Sequence, residues 1–452
     1  MTGPPEAQPT SRRRPLLAAL ATGGFGSLVG CASSGDPTAT SGPTETGTPV
    51  EVLHNWTSGP DRVASESFTA AFGDAHPAVA TDVRTVADLS VDELVGRRIE
   101  GGDPPEVFGT VPGGNLAPFD GSLSTVEDAW VGDAADAHPP LAREACRRGG
   151  AYRAVPVAAF RVDTVYYNVD VLAAAGIDPA SLSSVDGLLG AVEAVARSSV
   201  DARPFAHALV WPRSTLQLFT ALLAADDPGA YRRFLSGDGG RSAVREAVSA
   251  TARLLAAGDR SSGTFAEAGR RVGNGEAAAV QAGSWLSSYL RRAGFGHRNE
   301  PEGDGSWGLV GLGDAPVVRY EAFVPTADSA SPDGAAAWLA FASTKAGQVA
   351  FNRPSSAAAR PDPNPEDSEN PAVPRGSVPP RTDVPPERFD PPLSAVALAY
   401  RDADERLPAV ELTLAPGTVE ALLGAVDDWL VSGESVDVDA ATDALEAAVG
   451  DA

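Results

Sequence analysis

The chain has 452 residues, with 60 acidic against 35 basic side chains and a formal charge of −25. That length is too great for a single hydrophobic core, so two lobes are expected, and so acidic a surface argues against nucleic acid as a partner. Two cysteines, Cys31 and Cys146, and five scattered histidines encode neither a disulfide framework nor a transition-metal motif.

Residues 1–30 read as an export signal. Arg12, Arg13 and Arg14 precede an apolar run that stops at Leu28-Val29-Gly30-Cys31. The run is too short to cross ~30 Å of hydrocarbon at ~1.5 Å per residue. The Ser-Arg-Arg start resembles a twin-arginine signal. Leu-Val-Gly-Cys resembles a lipobox, which makes Cys31 the expected lipid anchor to the outer face of the cell membrane. Residues 31–49, rich in Ser, Thr, Gly and Pro, read as a flexible tether. With Cys31 lipidated, Cys146 has no partner and reads as a semi-buried helix residue. Lys345 is the only lysine, and the excess of acid resembles that of proteins from extreme halophiles. Such a surface tolerates its own repulsion because the Debye length at 1 M salt is ~3 Å.

Residues 50–54 alternate as a strand, turn at Asn55-Trp56-Thr57-Ser58-Gly59-Pro60, and lead into a helix from Asp61 to about Ala75. A second helix is expected from the capping box Ser90-Val91-Asp92-Glu93 to Gly101-Gly102. A buried strand follows over 106–111. This order is α/β grammar. Residues 152–168 predict strand, interrupted at Pro156, with a short helix over 169–175. Amphipathic helices are predicted at 186–197, 215–225 and 241–257. Residues 277–282 read as a strand running into a helix, with Ser284 as N-cap and Trp285 in the first turn. Short strands at 309–312 and 322–324 precede a helix opened by Ser331-Pro332-Asp333. Two helices, near 417–431 and 439–449, close the chain.

Enzyme signatures are missing: the chain has no G-x-S-x-G, complete G-x-G-x-x-G or P-loop, and no cofactor is implied. Acidic pairs carry no weight in so acidic a chain, so an exported carbohydrate-active enzyme with an unrecognised carboxylate pair remains the alternative. Tryptophan placement is the stronger signal. Trp56 and Trp285 sit at predicted strand exits, where α/β layers bind ligands, and Trp211 stands beside a proline. A flat aromatic face suits the C–H face of a sugar ring, and His54, Ser58 and Asp61 are polar neighbours for its hydroxyls. Tyr166-Tyr167 reads as scaffold rather than an iron site, and Arg381 as a structural ion-pair partner.

Several segments together resemble the extracellular solute-binding proteins of sugar ABC importers, in the branch of glucose/mannose binders. The carriers are His54 to Asp61; Gly102 to Phe108; Tyr152 to Val157 with Val165 to Asn168 and Ala175 to Pro179; Gln281 to Trp285; and Gln348 to Asn352 with Arg375 to Val384. The resemblance implies a two-lobed type II periplasmic-binding fold whose chain crosses a hinge three times, near 158–162, 322–326 and 374–380. Lobe 1 would be 50–159 plus 326–376 and lobe 2 would be 160–325 plus 377–452, with a Pro/acid-rich insertion at 354–374. It further implies sugar contacts at His54, Trp56, Ser58, Asp61, Trp211, Trp285, Asp328 and Arg375, membrane permease subunits as partners, and a monomer. Asn55, Asp61, Ser284 and Pro416 depart from the family pattern, which leaves the identity of the sugar open. A receptor for a polyamine or a peptide is the other alternative.

Overall fold

The computed structural model of the protein describes residues 48–57, 59–87, 90–259, 263–299, 305–353, 374–431 and 436–450. The expected signal, the tether up to residue 47, Cys31, Ser58 and residues 354–373 of the insertion lie outside that set. The first strands are β1 (Val50–His54), β2 (Thr81–Thr85), β3 (Val107–Thr110), β4 (Arg147–Arg148), β5 (Ala151–Tyr152), β6 (Val155–Arg161) and β7 (Thr164–Asn168). They are followed by β8 (Phe205–Ala206), β9 (Gly258–Asp259), β10 (Ala279–Ala282), β11 (Trp307–Gly311), β12 (Val317–Pro325) and β13 (Leu407–Pro408).

Two sheets carry the fold, one in each lobe. The first runs β13-β12-β3-β1-β2, with β6 also paired to β12. In it β1 lies parallel to β2 and β3, whereas β12 is antiparallel to β3 and β6. The second runs β11-β7-β10-β8-β9, with β7 antiparallel to both its neighbours. β1 is a central strand, so its residues are buried except Glu51, which is half-buried. The helix that follows it, Gly59–Ala75, buries Val63, Ala64, Phe68 and Phe72. These rings meet Trp338, Phe341 and Phe323 in one aromatic nest.

The chain passes between the sheets at Val162–Asp163, where β6 ends and β7 begins, and again between Gly311 and Val317. Arg161 spans the first of these passages, with Nε donating to Asp163 Oδ1 at 2.8 Å. Residues 322–325, which the resemblance places near a crossing, pair with β3 in the first sheet. Val378 bridges Ala159 of β6, and β13 then extends β12 at Val317 and Val318. The last helices, Pro416–Val431 and Val438–Gly450, pack on Pro212–Asp226 and Arg241–Ala257 in the second lobe.

Local expectations differ from the structure at a few points. β6 continues through Pro156, which sits opposite Ala322 at a register shift. A bulge is where a strand tolerates a missing N–H. Helix Val91–Glu100 starts at the expected place, but the Ser90 side chain makes no cap bond. A reciprocal capping box forms instead at Thr264 and Glu267, opening helix Phe265–Gly273. The N-cap before helix Leu286–Arg292 is Trp285, not Ser284. Cys146 is fully buried at the C-cap of helix Pro140–Ala145, and burial raises its thiol pKa well above the ordinary range. Arg381 pairs with Asp383 and Asp133 and donates to the Ser343 carbonyl.

Candidate functional site

A cleft of about 410 Å³ opens between the two sheets. One wall comes from the exit of β1 and the helix after it: Asn55, Trp56, Pro60 and Asp61. The floor is the paired strands β6 and β12, which contribute Phe160, Arg319 and Glu321, together with Arg375. The facing wall carries Trp211, Gln217, Phe265, Trp285, Ser288 and Tyr289 from the second lobe. Trp56, Asp61, Trp211, Trp285 and Arg375, brought together here, stand more than 300 residues apart at the extremes.

Trp56 is held on all sides but one. Its ring packs edge-on against Phe351 at 4.8 Å and Phe323 at 5.4 Å, and it stacks with His54 at 4.7 Å. Gly109 on β3 makes room for it, because a Cβ there would lie 2.9 Å from the indole. His54 does not reach the cleft. Its Nδ1 accepts from the Trp56 backbone N–H at 3.2 Å, so the remaining N–H, on Nε2, donates to Ser65 Oγ at 2.8 Å. Burial, with the Arg375 charge adding to it against Asp61, lowers the imidazole pKa to about 4. The ring is therefore neutral at pH 7 and serves to orient Trp56.

Arg375 is the electrostatic centre of the site. It is 2 % exposed, lies 4.8 Å from the Phe351 ring, 5.1 Å from Phe160 and 5.5 Å from Trp56, and donates through Nε to Asp61 Oδ1 at 2.7 Å. Its Nη2 lies 2.7 Å from Glu321 Oε2, and Glu321 in turn accepts from Arg319 Nη1 at 3.2 Å. Burial pulls the guanidinium pKa down, but Glu321 and Asp61 together outweigh it and raise the value. Two arginines and two carboxylates thus neutralise one another at the floor, which a buried charge requires. Nη1 of Arg375 is buried without a partner. The backbone on either side is fixed from the other lobe: Ser288 Oγ donates to the Pro374 carbonyl. Gly376, at φ +84°, lies where a Cβ would collide with the Ser284 carbonyl.

A second polar group stands on the first wall. Asn115 Nδ2 donates to Asp92 Oδ2 and to Thr110 Oγ1, each at 3.0 Å. Burial raises the pKa of the Asp92 carboxyl, opposed by bonds from Thr110 and Asn115. On the second wall the rings run edge to face: Trp285 with Phe160 at 5.7 Å, Tyr289 with Phe265 at 4.8 Å, and Phe265 with Trp211 at 6.5 Å.

Asp328 lies outside the cleft, in a left-handed turn at φ 60° beyond β12. Asp92, Thr110, Asn115, Phe160, Phe265, Tyr289, Arg319 and Glu321 escaped the sequence reading. Tyr289 had a signal, since it follows Trp285 by four residues on one helix. Arg319 and Glu321 had another, two residues apart on one strand face. Tyr166 is fully buried and donates to the Gly283 carbonyl at 3.1 Å, and Tyr167 OH accepts from Arg298 Nη1 at 2.7 Å.

Comparison with known proteins follows the same outline. The xylose/arabinose-binding protein XacG of Haloferax volcanii is 29% identical over 417 residues, covering 89% of this chain and 84% of that one. Among solved structures, a chitin oligosaccharide binding protein superposes with a TM-score of 0.68 at 16% identity, over 90% of this chain and 99% of that one. A Streptococcus pneumoniae solute-binding protein in complex with the blood group A-trisaccharide gives 0.66 at 15% identity, over 90% and 100%. Residues 102–372, more than half of the chain, match the model of the bacterial extracellular solute-binding proteins, and the chain belongs to that family.

Proposed function

We propose that the protein is a receptor that captures a sugar in this cleft and hands it, chemically unchanged, to the permease of an ABC importer. One observation carries the reading: a single cleft sets aromatic faces on one wall against charged and amide groups on the other. The C–H face of a pyranose suits the first, and its hydroxyls suit the second. The Haloferax volcanii relative, named for xylose and arabinose binding, supports a sugar over a polyamine or a peptide. Trp56, Asp61, Trp211, Trp285 and Arg375 are the proposed contacts, with His54 acting through Trp56.

The lobes that carry the two sheets would turn about the passages at Val162–Asp163 and between Gly311 and Val317, rather than at the 159/160 and 325/326 bounds that the resemblance implied. A sugar touches both walls only when they are close, so it stabilises the closed form by the difference in contact free energy. Export by the 1–30 signal, anchoring through Cys31, a working environment of molar salt and a monomeric state belong to the same proposal. No covalent step is part of it.

The test is a thermal-shift and tryptophan-fluorescence screen of mono- and oligosaccharides in molar salt. At one hundred times Kd a ligand adds about 2.7 kcal/mol, enough to raise Tm by a few degrees. Trp285→Ala should weaken binding of the matching sugar by roughly 30-fold or more, the range of a central aromatic anchor. Unchanged affinity in that variant would refute the site, and release of a hydrolysis product from a glycoside would favour the enzyme alternative.

A further inference from the structure

The second wall is longer than one sugar ring needs. Trp285 sits on the floor side, against Phe160 and near Arg375. Tyr289 lies one helical turn on, Phe265 meets Tyr289 at 4.8 Å, and Trp211 meets Phe265 at 6.5 Å. All four rings line the same cleft, so this wall offers more than one apolar face along it.

Trp211 is the informative member. Among the described residues it is the large aromatic that stands 52 % exposed, yet its backbone is fixed. It caps helix Pro212–Asp226 with φ −120° and ψ 104°, the conformation that a following proline imposes. Its carbonyl accepts from the Ser214 N–H at 2.8 Å, and the Val210 N–H donates to Gly263 at 3.2 Å. An indole left half-open on a fixed backbone, at the end of an aromatic row, offers an apolar face that the protein itself does not cover. The first wall repeats the pattern, with two separate polar stations, Asp61 with Arg375 and Asp92 with Asn115.

We infer that the ligand is an oligosaccharide of at least two pyranose units, with one ring on Trp285 and an outer ring on Trp211. This rests on the sugar-receptor reading and adds chain length to it. The test is calorimetric titration of xylose, xylobiose and xylotriose, and of glucose, maltose and maltotriose, against the wild-type chain and Trp211→Ala. In one series the di- or trisaccharide is expected to bind about tenfold or more tighter than its monomer. Trp211→Ala should cut that advantage by about tenfold or more, weakening the oligomer far more than its monomer. A monomer that binds as tightly as its oligomers overturns the inference and leaves the receptor reading standing. So does a Trp211→Ala variant that keeps the oligomer advantage or weakens both lengths alike. Absence of binding by every sugar in both series and in the wider mono- and oligosaccharide screen overturns the receptor reading and, with it, this one.

Discussion

The two walls of the cleft are built on opposite plans. The first, with the floor beside it, is largely assembled before any guest arrives: Arg375 is 2 % exposed and already paired with Asp61 and Glu321, and Trp56 is clamped between His54, Phe323 and Phe351. The second leaves apolar faces open, from the half-buried Trp285 to Trp211 at 52 % exposure. A preorganised polar wall spends no ordering entropy when a ligand docks, so it discriminates among hydroxyl patterns. An open aromatic wall gains most by being covered, so it contributes affinity and tolerates variation in the guest.

The sharpest way to break this contrast is Arg375→Ala. It removes the cation that Asp61 and Glu321 share at the floor and leaves Glu321 to Arg319, and a broken buried pair typically costs about 3–5 kcal/mol. Denaturant unfolding should show that loss even without sugar, because the first wall is part of the folded scaffold. A variant as stable as the wild type would make Arg375 an ordinary ligand contact and erase the distinction.

Acid should come next. His54 falls to about 4 in the folded state against 6.5 as its ordinary value, and burial is its main cause. Above pH 6.5 the imidazole is neutral in both states and its placement costs nothing. Below that, the unfolded chain takes up a proton that the folded one refuses until about pH 4, so stability falls as pH drops through this window. The limit for this group is about 3 kcal/mol. His138 and His207, also lowered by burial to about 4, act in the same direction. Tm measured from pH 7 to pH 4 should decline, and His54→Gln should flatten part of the decline. A pH-independent Tm would show that these rings are protonated in place.

The smallest effect is expected at Arg213→Ala. Its ion pair with Glu411, at 2.5 Å, lies at the edge of the cleft with the arginine half exposed. Such pairs contribute about 0–1 kcal/mol, so chemical denaturation should barely register the change. A larger loss would mean that the second wall, too, is held by preformed charge.

Much of the scaffold was legible locally. Helix Arg241–Ala257 has the predicted bounds, and β1, its turn and the following helix were readable because hydrophobic period, Gly-Pro punctuation and helix caps act over a few residues. β2 was missed since Thr-Asp-Val-Arg-Thr, on the sheet edge, is charged where a buried strand would be apolar. The aromatic wall was half legible: Trp285 and Trp211 stood out by residue type, whereas Phe265 joins them only through packing between helices.

By itself, then, the sequence determined that strands and helices alternate, that an indole follows the first strand, and that another opens the helix after β10. Short-range periodicity and capping set those features. Only the tertiary structure decided that Arg375 reaches Asp61 across 314 residues, that His54 turns inward to brace Trp56, and that Asp328 stays away from the cleft. Each of those outcomes depends on which distant group can neutralise, bond or exclude a side chain once the sheets have formed, and no local pattern encodes that choice.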